Sequence, residues 1–145
     1  MLLLGIDLGT SSVKVSVVDG ATQQSIATAS YPETEVEIIA PHPGWAEQSP
    51  DQWWEHISQA ILKCNSSAQY NPLDIAAIGI AYQMHGLVLV DKEENVLRNS
   101  IIWCDSRAVE IGNKAFEEIG SEKCLSSLLN SPGNFTASKL AWVKE

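Results

Sequence analysis

The first residues able to do chemistry are one carboxylate, a hydroxyl-rich turn and one lysine. They stand within the stretch LLLGIDLGTSSVKVSVVD, where Asp7 interrupts an apolar run and Lys14 follows the turn. The turn consists of four small residues, Gly9, Thr10, Ser11 and Ser12. Because a carboxylate inside an apolar strand is costly to desolvate, we expect Asp7 to meet a cation or hydrogen-bond donors.

A nucleotide phosphate would suit this hairpin. The hydroxyl and backbone N–H groups of the turn can donate to phosphate oxygens, Lys14 adds a positive charge, and Asp7 can orient a hydrated Mg²⁺. Phosphoryl transfer requires this positioning and charge neutralisation. The segment lacks the Gly-x-x-x-x-Gly-Lys-Ser/Thr spacing of a P-loop. On composition alone, a tight hairpin whose amides satisfy Asp7 explains the pattern equally well.

A second group of candidate residues follows the apolar run 75–81. Open α/β sheets present ligand-binding groups just past the carboxyl ends of their strands, and Met84, His85 and Gly86 stand there. His85 can exchange hydrogen bonds with ligand hydroxyls, Met84 offers an adaptable apolar wall, and Gly86 permits a close backbone approach. On residue type alone a single histidine is more often structural, although its position favours a binding role.

The segment Trp103-Cys104-Asp105-Ser106-Arg107 is a third candidate. The face of Trp103 can pack against an apolar C–H face of a ligand, while Asp105 or Arg107 can bind ligand hydroxyls. Each residue also has a structural interpretation. Asp105 suits the N-cap of a helix, and Trp103 suits a core position.

Antiparallel strands are expected to position the first hairpin. An apolar run broken only by Gly5 and Asp7 predicts a strand at 2–8 that is covered on both faces, alternation predicts a strand at 13–19, and turn signals predict a third at 25–31. The proline-rich segment 39–49 is expected to be an ordered loop. Ser49 then suits the N-cap of an amphipathic helix of about four turns that begins at Pro50.

The second half of the chain predicts one buried strand, a hairpin and further helices. The apolar run 75–81 after a helix indicates a strand parallel to the first one. Strands are predicted at 87–90 and at 96–103, the second broken near Asn99, on either side of the polar turn 91–95. Helices are predicted from Asp105 or Ser106 to Gly120, at 121–129, and from Thr136 onward.

Composition and charge narrow the class of partner. The chain has 145 residues, 45% of them hydrophobic, and a formal net charge of −9, which fits a globular domain and would repel nucleic acids and anionic membranes. Its short apolar start predicts neither a signal peptide nor a spanning helix. Three cysteines in no metal-ligand spacing fit a reducing compartment, so we expect a cytoplasmic protein. Helical periodicity that still runs at LAWVKE predicts a cut chain.

Several motifs together resemble one known family. GIDLGTSSVKVSVVD is similar to the first phosphate motif of the actin-like, hexokinase-like ATPases. GWAEQSPDQWW, IGIAYQMHGLVLVD, VLRNSIIWCDSRA and SPGNFTASKLAWVKE follow in the order and spacing of the FGGY carbohydrate kinases, and Met84-His85-Gly86 resembles the form found in xylulokinases. The resemblance covers the whole chain.

This resemblance implies an α/β fold of the actin-like, ribonuclease H-like class. Its mixed sheet would contain three antiparallel amino-terminal strands plus parallel strands, with flanking helices. Residues 1–145 would be the N-terminal part of the first FGGY kinase domain, with the remainder of that domain and the whole second domain absent.

The implied activity is ATP-dependent phosphorylation of D-xylulose to xylulose 5-phosphate, with ATP and Mg²⁺ as cofactors and a homodimer as a further expectation. Asp7 would position Mg²⁺ and the phosphates through water. Five residues would contact the ATP phosphates: Gly9, Thr10, Ser11, Ser12 and Lys14. Five would bind the sugar: Met84, His85, Gly86, Trp103 and Asp105.

The general base of such kinases is an aspartate in a Gly-rich segment that this chain lacks. We therefore expect the chain alone to be inactive. Two alternatives stay open. The protein could be another FGGY kinase, acting on gluconate, ribulose or a polyol, or a non-catalytic actin-like scaffold that binds ATP.

Overall fold

The computed structural model describes all of residues 1–145, which contain six strands and four α-helices. The six strands are β1 (Leu2–Leu8), β2 (Val13–Asp19), β3 (Ser25–Tyr31), β4 (Glu47–Gln48), β5 (Ile75–Tyr82) and β6 (Ser100–Ile101). The four helices are α1 (Pro50–Asn65), α2 (Val109–Ile119), α3 (Ser121–Leu128) and α4 (Thr136–Lys144). None of the helices is long and apolar enough to cross a membrane.

Residues 1–37 and 51–83 form the first of two structural units. Its sheet has the strand order β3-β2-β1-β5, in which β2 is antiparallel to β1 and β3, and β5 is parallel to β1. The three antiparallel strands have the predicted bounds. The predicted parallel strand is confirmed and extends to Tyr82.

Side-chain alternation turns one face of this sheet toward α1. Apolar residues of three strands and one face of α1 form the core: Leu4, Ile6, Val13, Val15, Val17, Ala27, Ala29, Ala60 and Cys64. Gly5 and Asp7, which alternate with the buried residues of β1, are exposed. Since successive side chains of a strand point to opposite faces, these two residues belong to the face away from the core.

The edge strand β5 is apolar and yet largely exposed. Its register places Ile78 beside Leu4 and Ile80 beside Ile6. Leu4 and Ile6 are buried, whereas Ile78 and Ile80 are 61% and 64% exposed. The core that α1 completes therefore stops at β1.

Residues 38–50 and 84–145 form the second unit. Its small sheet pairs β4 with β6, and Leu87 exchanges two backbone hydrogen bonds of 2.9 and 3.1 Å with Ile101. The predicted loop at 39–49 thus contains one short strand.

The hairpin predicted around residues 91–95 is only partly present. The turn is confirmed, because the Asp91 carboxylate accepts hydrogen bonds from the backbone N–H groups of Glu93 and Asn95 at 2.9 and 2.8 Å. The strand predicted at 87–90 is wrong, because pairing there is limited to the Leu87–Ile101 and Val90–Val96 bridges. In the run predicted at 96–103 with a break near Asn99, only β6 is a strand, and it follows that break.

The helix predicted from Asp105 or Ser106 begins at Val109 instead. The Asp105 carboxylate is occupied by a distant partner, the backbone N–H of Ala46, at 2.6 Å. It is therefore not the N-cap, which is Ala108. The predicted end is confirmed, since α2 stops before Gly120, whose φ of 94° favours glycine.

Candidate functional site

The turn between β1 and β2 is closed tightly by backbone contacts. The N–H of Gly9 donates to the carbonyl of Ser12 at 3.1 Å, and the N–H of Val36 donates to the carbonyl of Ser11 at 2.9 Å. A Cβ added to Gly9 would lie 2.9 Å from the Ser12 carbonyl oxygen. Glycine is therefore required here by close approach, and the turn presents Thr10 and Ser11 at its tip.

Asp7 is exposed, so the expectation of a desolvated carboxylate is wrong. Strand alternation explains this, because Asp7 lies on the sheet face away from α1. Its register neighbours are Lys14 on β2 and Ala81 on β5. The carboxylate makes no ion pair within 4.0 Å, and so remains available to a ligand.

An open depression surrounds Asp7 on this face of the sheet. Its volume is about 400 Å³, and its lining consists of Gly5, Ile6, Asp7, Lys14, Ser16, Gly79, Ile80 and Ala81. A Cβ added to Gly79 would meet nothing within 4 Å. One carboxylate, one ammonium group and small neighbours thus share a concave surface that has room for a polar ligand.

This surface fits a metal held through water better than one held directly. No group of three or more His, Cys, Asp or Glu side chains converges in the described chain. Asp7 offers a single carboxylate, and Mg²⁺ commonly keeps several waters while it binds one or two carboxylates and substrate phosphates.

The candidate sugar residues lie in the second unit. His85 is half-buried and has a φ of 61°, in the left-handed region that is uncommon for residues other than glycine. Its imidazole stacks on Phe135, with ring centroids 4.9 Å apart and planes 18° from parallel. Met84 beside it is 65% exposed.

Gly86 is not the residue with the special conformation in this segment. A Cβ added to Gly86 would meet the Ile101 carbonyl oxygen and Ser100 Oγ at 3.8 Å, which is ordinary van der Waals contact. Packing within the chain therefore does not require glycine at position 86. The constrained backbone belongs to His85.

The Leu87–Ile101 pair brings His85 and Trp103 to the same end of an antiparallel ladder. His85 precedes Leu87 by two residues, and Trp103 follows Ile101 by two, so both leave the pair in the same direction. Trp103 is 48% exposed. It belongs to a turn that the Asp105 N–H closes by donating to the carbonyl of Ile102 at 3.2 Å.

Asp105 is buried and its carboxylate is fully engaged within the unit. It accepts the Ala46 N–H, the Arg107 backbone N–H and the Arg107 guanidinium, at distances of 2.6 to 3.0 Å. Burial raises the pKa of Asp105, but the hydrogen bonds from Arg107 and Ala46 outweigh it and hold that pKa below its ordinary value. These contacts make Asp105 the anchor of the turn that carries Trp103.

Arg107 completes a buried ionic network that sequence reasoning missed. Its guanidinium lies 3.8 Å from the ring centroid of Trp45 and 5.1 Å from that of Trp142. It also pairs with Glu47 at 2.7 Å, and Arg98 reaches the same Glu47 oxygen at 2.6 Å. Trp45 and Glu47 belong to the motif GWAEQSPDQWW, and Trp142 belongs to SPGNFTASKLAWVKE. These motifs indicated the family but not the contacts of the three residues with Arg107.

Lys139 is a second buried charge that the sequence analysis did not single out. Its side chain is 0% exposed, and Nζ donates to the carbonyls of His85 and Asn134 at 2.8 Å each. Burial lowers the pKa of Lys139, and the negative charge of Asp105 opposes that effect. The signal available in the sequence was its place inside SPGNFTASKLAWVKE.

One known protein family matches nearly the whole chain. The profile of the N-terminal domain of the FGGY family of carbohydrate kinases matches residues 2–145. The chain belongs to the FGGY family. The predicted fold class is confirmed by solved FGGY kinases, whose actin-like ATPase fold the chain matches over part of their length.

Individual FGGY relatives are similar over nearly all of the chain. The xylulose kinase of Escherichia coli is 37% identical over 143 residues, which cover 99% of this chain and 28% of that protein. The crystal structure of a xyloylose kinase from Brucella ovis has a TM-score of 0.86 and 35% identity, covering 99% of this chain and 29% of that one. The crystal structure of gluconate kinase from Lactobacillus acidophilus has a TM-score of 0.80 and 25% identity, covering 99% and 28%. The chain therefore spans between a quarter and a third of these relatives.

Proposed function

We propose that residues 1–145 are the N-terminal part of the first domain of an ATP-dependent kinase that phosphorylates D-xylulose to xylulose 5-phosphate. Membership of the FGGY family supports a sugar kinase. The Met84-His85-Gly86 segment and the similarity to xylulose kinases support the sugar. The single observation that carries the proposal is a free carboxylate, Asp7, beside Lys14 on a concave surface next to a hydroxyl-rich turn.

The first unit would bind the nucleotide phosphates. The turn would supply hydroxyl and N–H donors from Thr10, Ser11 and Ser12, while Gly9, whose own N–H binds the Ser12 carbonyl, would keep the turn compact. Lys14 adds a positive charge, and Asp7 would hold Mg²⁺ through water. When bound, Mg²⁺ neutralises negative charge on the phosphates.

The second unit would bind the sugar. The imidazole of His85 can donate to or accept from a hydroxyl, and its stacking on Phe135 fixes the direction in which it does so. Met84 and Trp103 offer exposed apolar surface for the C–H face of the sugar. Gly86 contributes backbone, and Asp105 acts through the turn that it anchors.

The proton acceptor for the attacking hydroxyl lies outside these residues in this proposal. Residues 1–145 contain no Gly-rich segment that bears the aspartate expected to act as the general base. Residues 1–145 alone would therefore show no turnover. A cytoplasmic location and a homodimer belong to the same proposal.

A substrate panel on the full-length protein tests the function. D-xylulose, D-ribulose, gluconate and glycerol are each supplied with ATP and Mg²⁺, and ADP release is measured. We expect D-xylulose to give the highest kcat/KM. Asp7→Asn should lower kcat, and His85→Gln should raise the KM for the sugar, whereas the exposed control Lys92→Gln should change neither.

A gluconate kinase is the second candidate, because the fold similarity extends to one at a TM-score of 0.80. A preference for gluconate in the panel would replace xylulose by this substrate. If no sugar in the panel causes ADP release although the protein still binds ATP, the kinase proposal fails and a non-catalytic scaffold replaces it.

A further inference from the structure

We propose that Lys139 is a positioning residue of the sugar site, whose buried ammonium group holds the backbone of His85 in its left-handed conformation. The inference rests on the proposed function of His85 and adds to it a second residue, on α4, that sets where the imidazole stands.

The left-handed backbone conformation of His85 is one that hydrogen bonds from neighbouring residues can stabilise. A φ of 61° brings the Cβ of an L-residue close to its own carbonyl group, so it persists where neighbouring contacts determine it. Nζ of Lys139 donates to that carbonyl at 2.8 Å. A hydrogen bond from a charged donor is stronger than one between neutral groups, and here it acts on the constrained residue itself.

The same short segment of chain grips this loop at three points. Phe135 stacks on the imidazole, Thr136 Oγ1 donates to the carbonyl of Gly86 at 3.1 Å, and Lys139 donates to the carbonyl of His85. Phe135 is the N-cap of α4, Thr136 is its first residue, and Lys139 is its fourth. Backbone and ring of His85 are therefore held from one side by a single element.

Packing alone does not explain a lysine at position 139. Its side chain is 0% exposed, and no carboxylate lies within ion-pair distance of Nζ. A buried ammonium group is costly unless hydrogen bonds compensate it, and an apolar side chain of similar length would avoid that cost. The two carbonyl acceptors, on His85 and Asn134, supply the compensation. The charge is thus used to join the His85 loop to the turn before α4.

The consequence is specific to the sugar. Without the ammonium group, the His85 carbonyl loses its donor, and the backbone can relax toward negative φ, which turns the imidazole away from Phe135. Affinity for the sugar would fall. Binding of ATP would not change, since the phosphate residues of the proposal belong to the first unit.

Lys139→Met in the full-length protein tests the proposal, with Lys144→Met as the matched control. Lys144 is the exposed last residue of the same helix. We expect K139M to raise the KM for D-xylulose by about tenfold or more, the loss of one charged hydrogen bond. The KM for ATP should stay near that of the wild type, and K144M should change neither constant. Lys139→Arg, which keeps a charged donor, should recover part of the loss.

Histidine NMR provides the readout that does not depend on activity. The ring protons of His85, assigned with His85→Gln, carry a ring-current shift from Phe135 that should change in K139M and persist in K144M. Unchanged His85 signals in a folded K139M protein would overturn the positioning role. So would equal effects on the KM for ATP and the KM for sugar.

The two proposals fail in different ways. If the wild type phosphorylates no sugar while K139M still moves the His85 signals, the proposed function fails and the positioning role stands. If K139M does not fold, Lys139→Gln, which keeps a neutral donor of similar length, is measured in the same way and decides between the same two outcomes.

Discussion

Replacing Asp105 by alanine separates a structural role from a sugar-binding role. The side chains of Asp105 and Arg107 are 0% and 1% exposed and form an ion pair at 2.7 Å. Removing one partner of a buried ion pair costs about 3–5 kcal/mol, because the remaining charge is left uncompensated. In Asp105→Ala the Ala46 N–H also loses its acceptor, while Arg107 keeps its ion pair with Glu47. We therefore expect Asp105→Ala to lower the free energy of unfolding of the second unit by about 3 kcal/mol or more.

Urea unfolding followed by tryptophan fluorescence measures this loss, because Trp45 and Trp142 lie against the Arg107 guanidinium. With a slope of about 1–3 kcal/mol per molar urea, the midpoint should fall by about 1 M or more. Asp91→Ala is the matched control, since it removes a carboxylate that also accepts several hydrogen bonds but belongs to a half-buried residue. It should shift the midpoint less. An unchanged midpoint in Asp105→Ala, combined with a raised KM for sugar, would refute the structural assignment and restore Asp105 as a sugar ligand.

Three further predictions concern protons and a glycine. The pKa of Asp105 is held below its ordinary 3.8, so below about pH 3.8 the unfolded chain binds a proton at Asp105 more readily than the folded chain does. The free energy of unfolding should therefore fall as pH decreases below about 3.8, and it should fall less in Asp105→Asn. Acid unfolding curves of the two proteins measure this difference. Burial raises the pKa of Tyr70 to about 12, so one of the three tyrosines should ionise well after the others in an ultraviolet titration, and Tyr70→Phe should remove that late step. Gly9→Ala should destabilise the first hairpin by more than about 1 kcal/mol in thermal unfolding, because its Cβ would meet the Ser12 carbonyl at 2.9 Å, whereas Gly79→Ala, with open space around it, should not. A fully stable Gly9→Ala protein would contradict this account of the turn.

The strands of the first unit were predictable because local rules decide them. An apolar run, alternation and turn signals marked β1, β2 and β3 to the residue. The turn between β1 and β2 followed from its small residues. Each of these signals lies within a few residues of the element that it predicts, and no distant contact opposes it.

The failures have the opposite cause. The start of α2 was misplaced because the carboxylate of Asp105, a good N-cap by type, binds Ala46, 59 residues away. The exposure of Asp7 was missed because an apolar run does not tell which of its faces a helix will cover. Nothing in the sequence indicated the left-handed backbone of His85, whose carbonyl accepts a hydrogen bond from Lys139, 54 positions further on.

Although their role stays a proposal, the candidate phosphate residues were grouped from sequence alone because they lie within residues 7–14. The buried groups Glu47, Arg107 and Lys139 were not, since each has meaning only through partners far along the chain. Their motif letters carried the family resemblance without revealing their contacts.

The open strand β5 has a consequence for how the polypeptide is made. An edge strand with unpaired backbone groups and exposed isoleucine side chains can pair with another extended chain, and natural proteins shield such edges. As these residues leave the ribosome, β5 can add to β1 before anything synthesised later is available to shield it. During that interval the nascent chain is exposed to misassembly with its neighbours on the same polysome, and a holding chaperone would find its binding segment at IAAIGIAY.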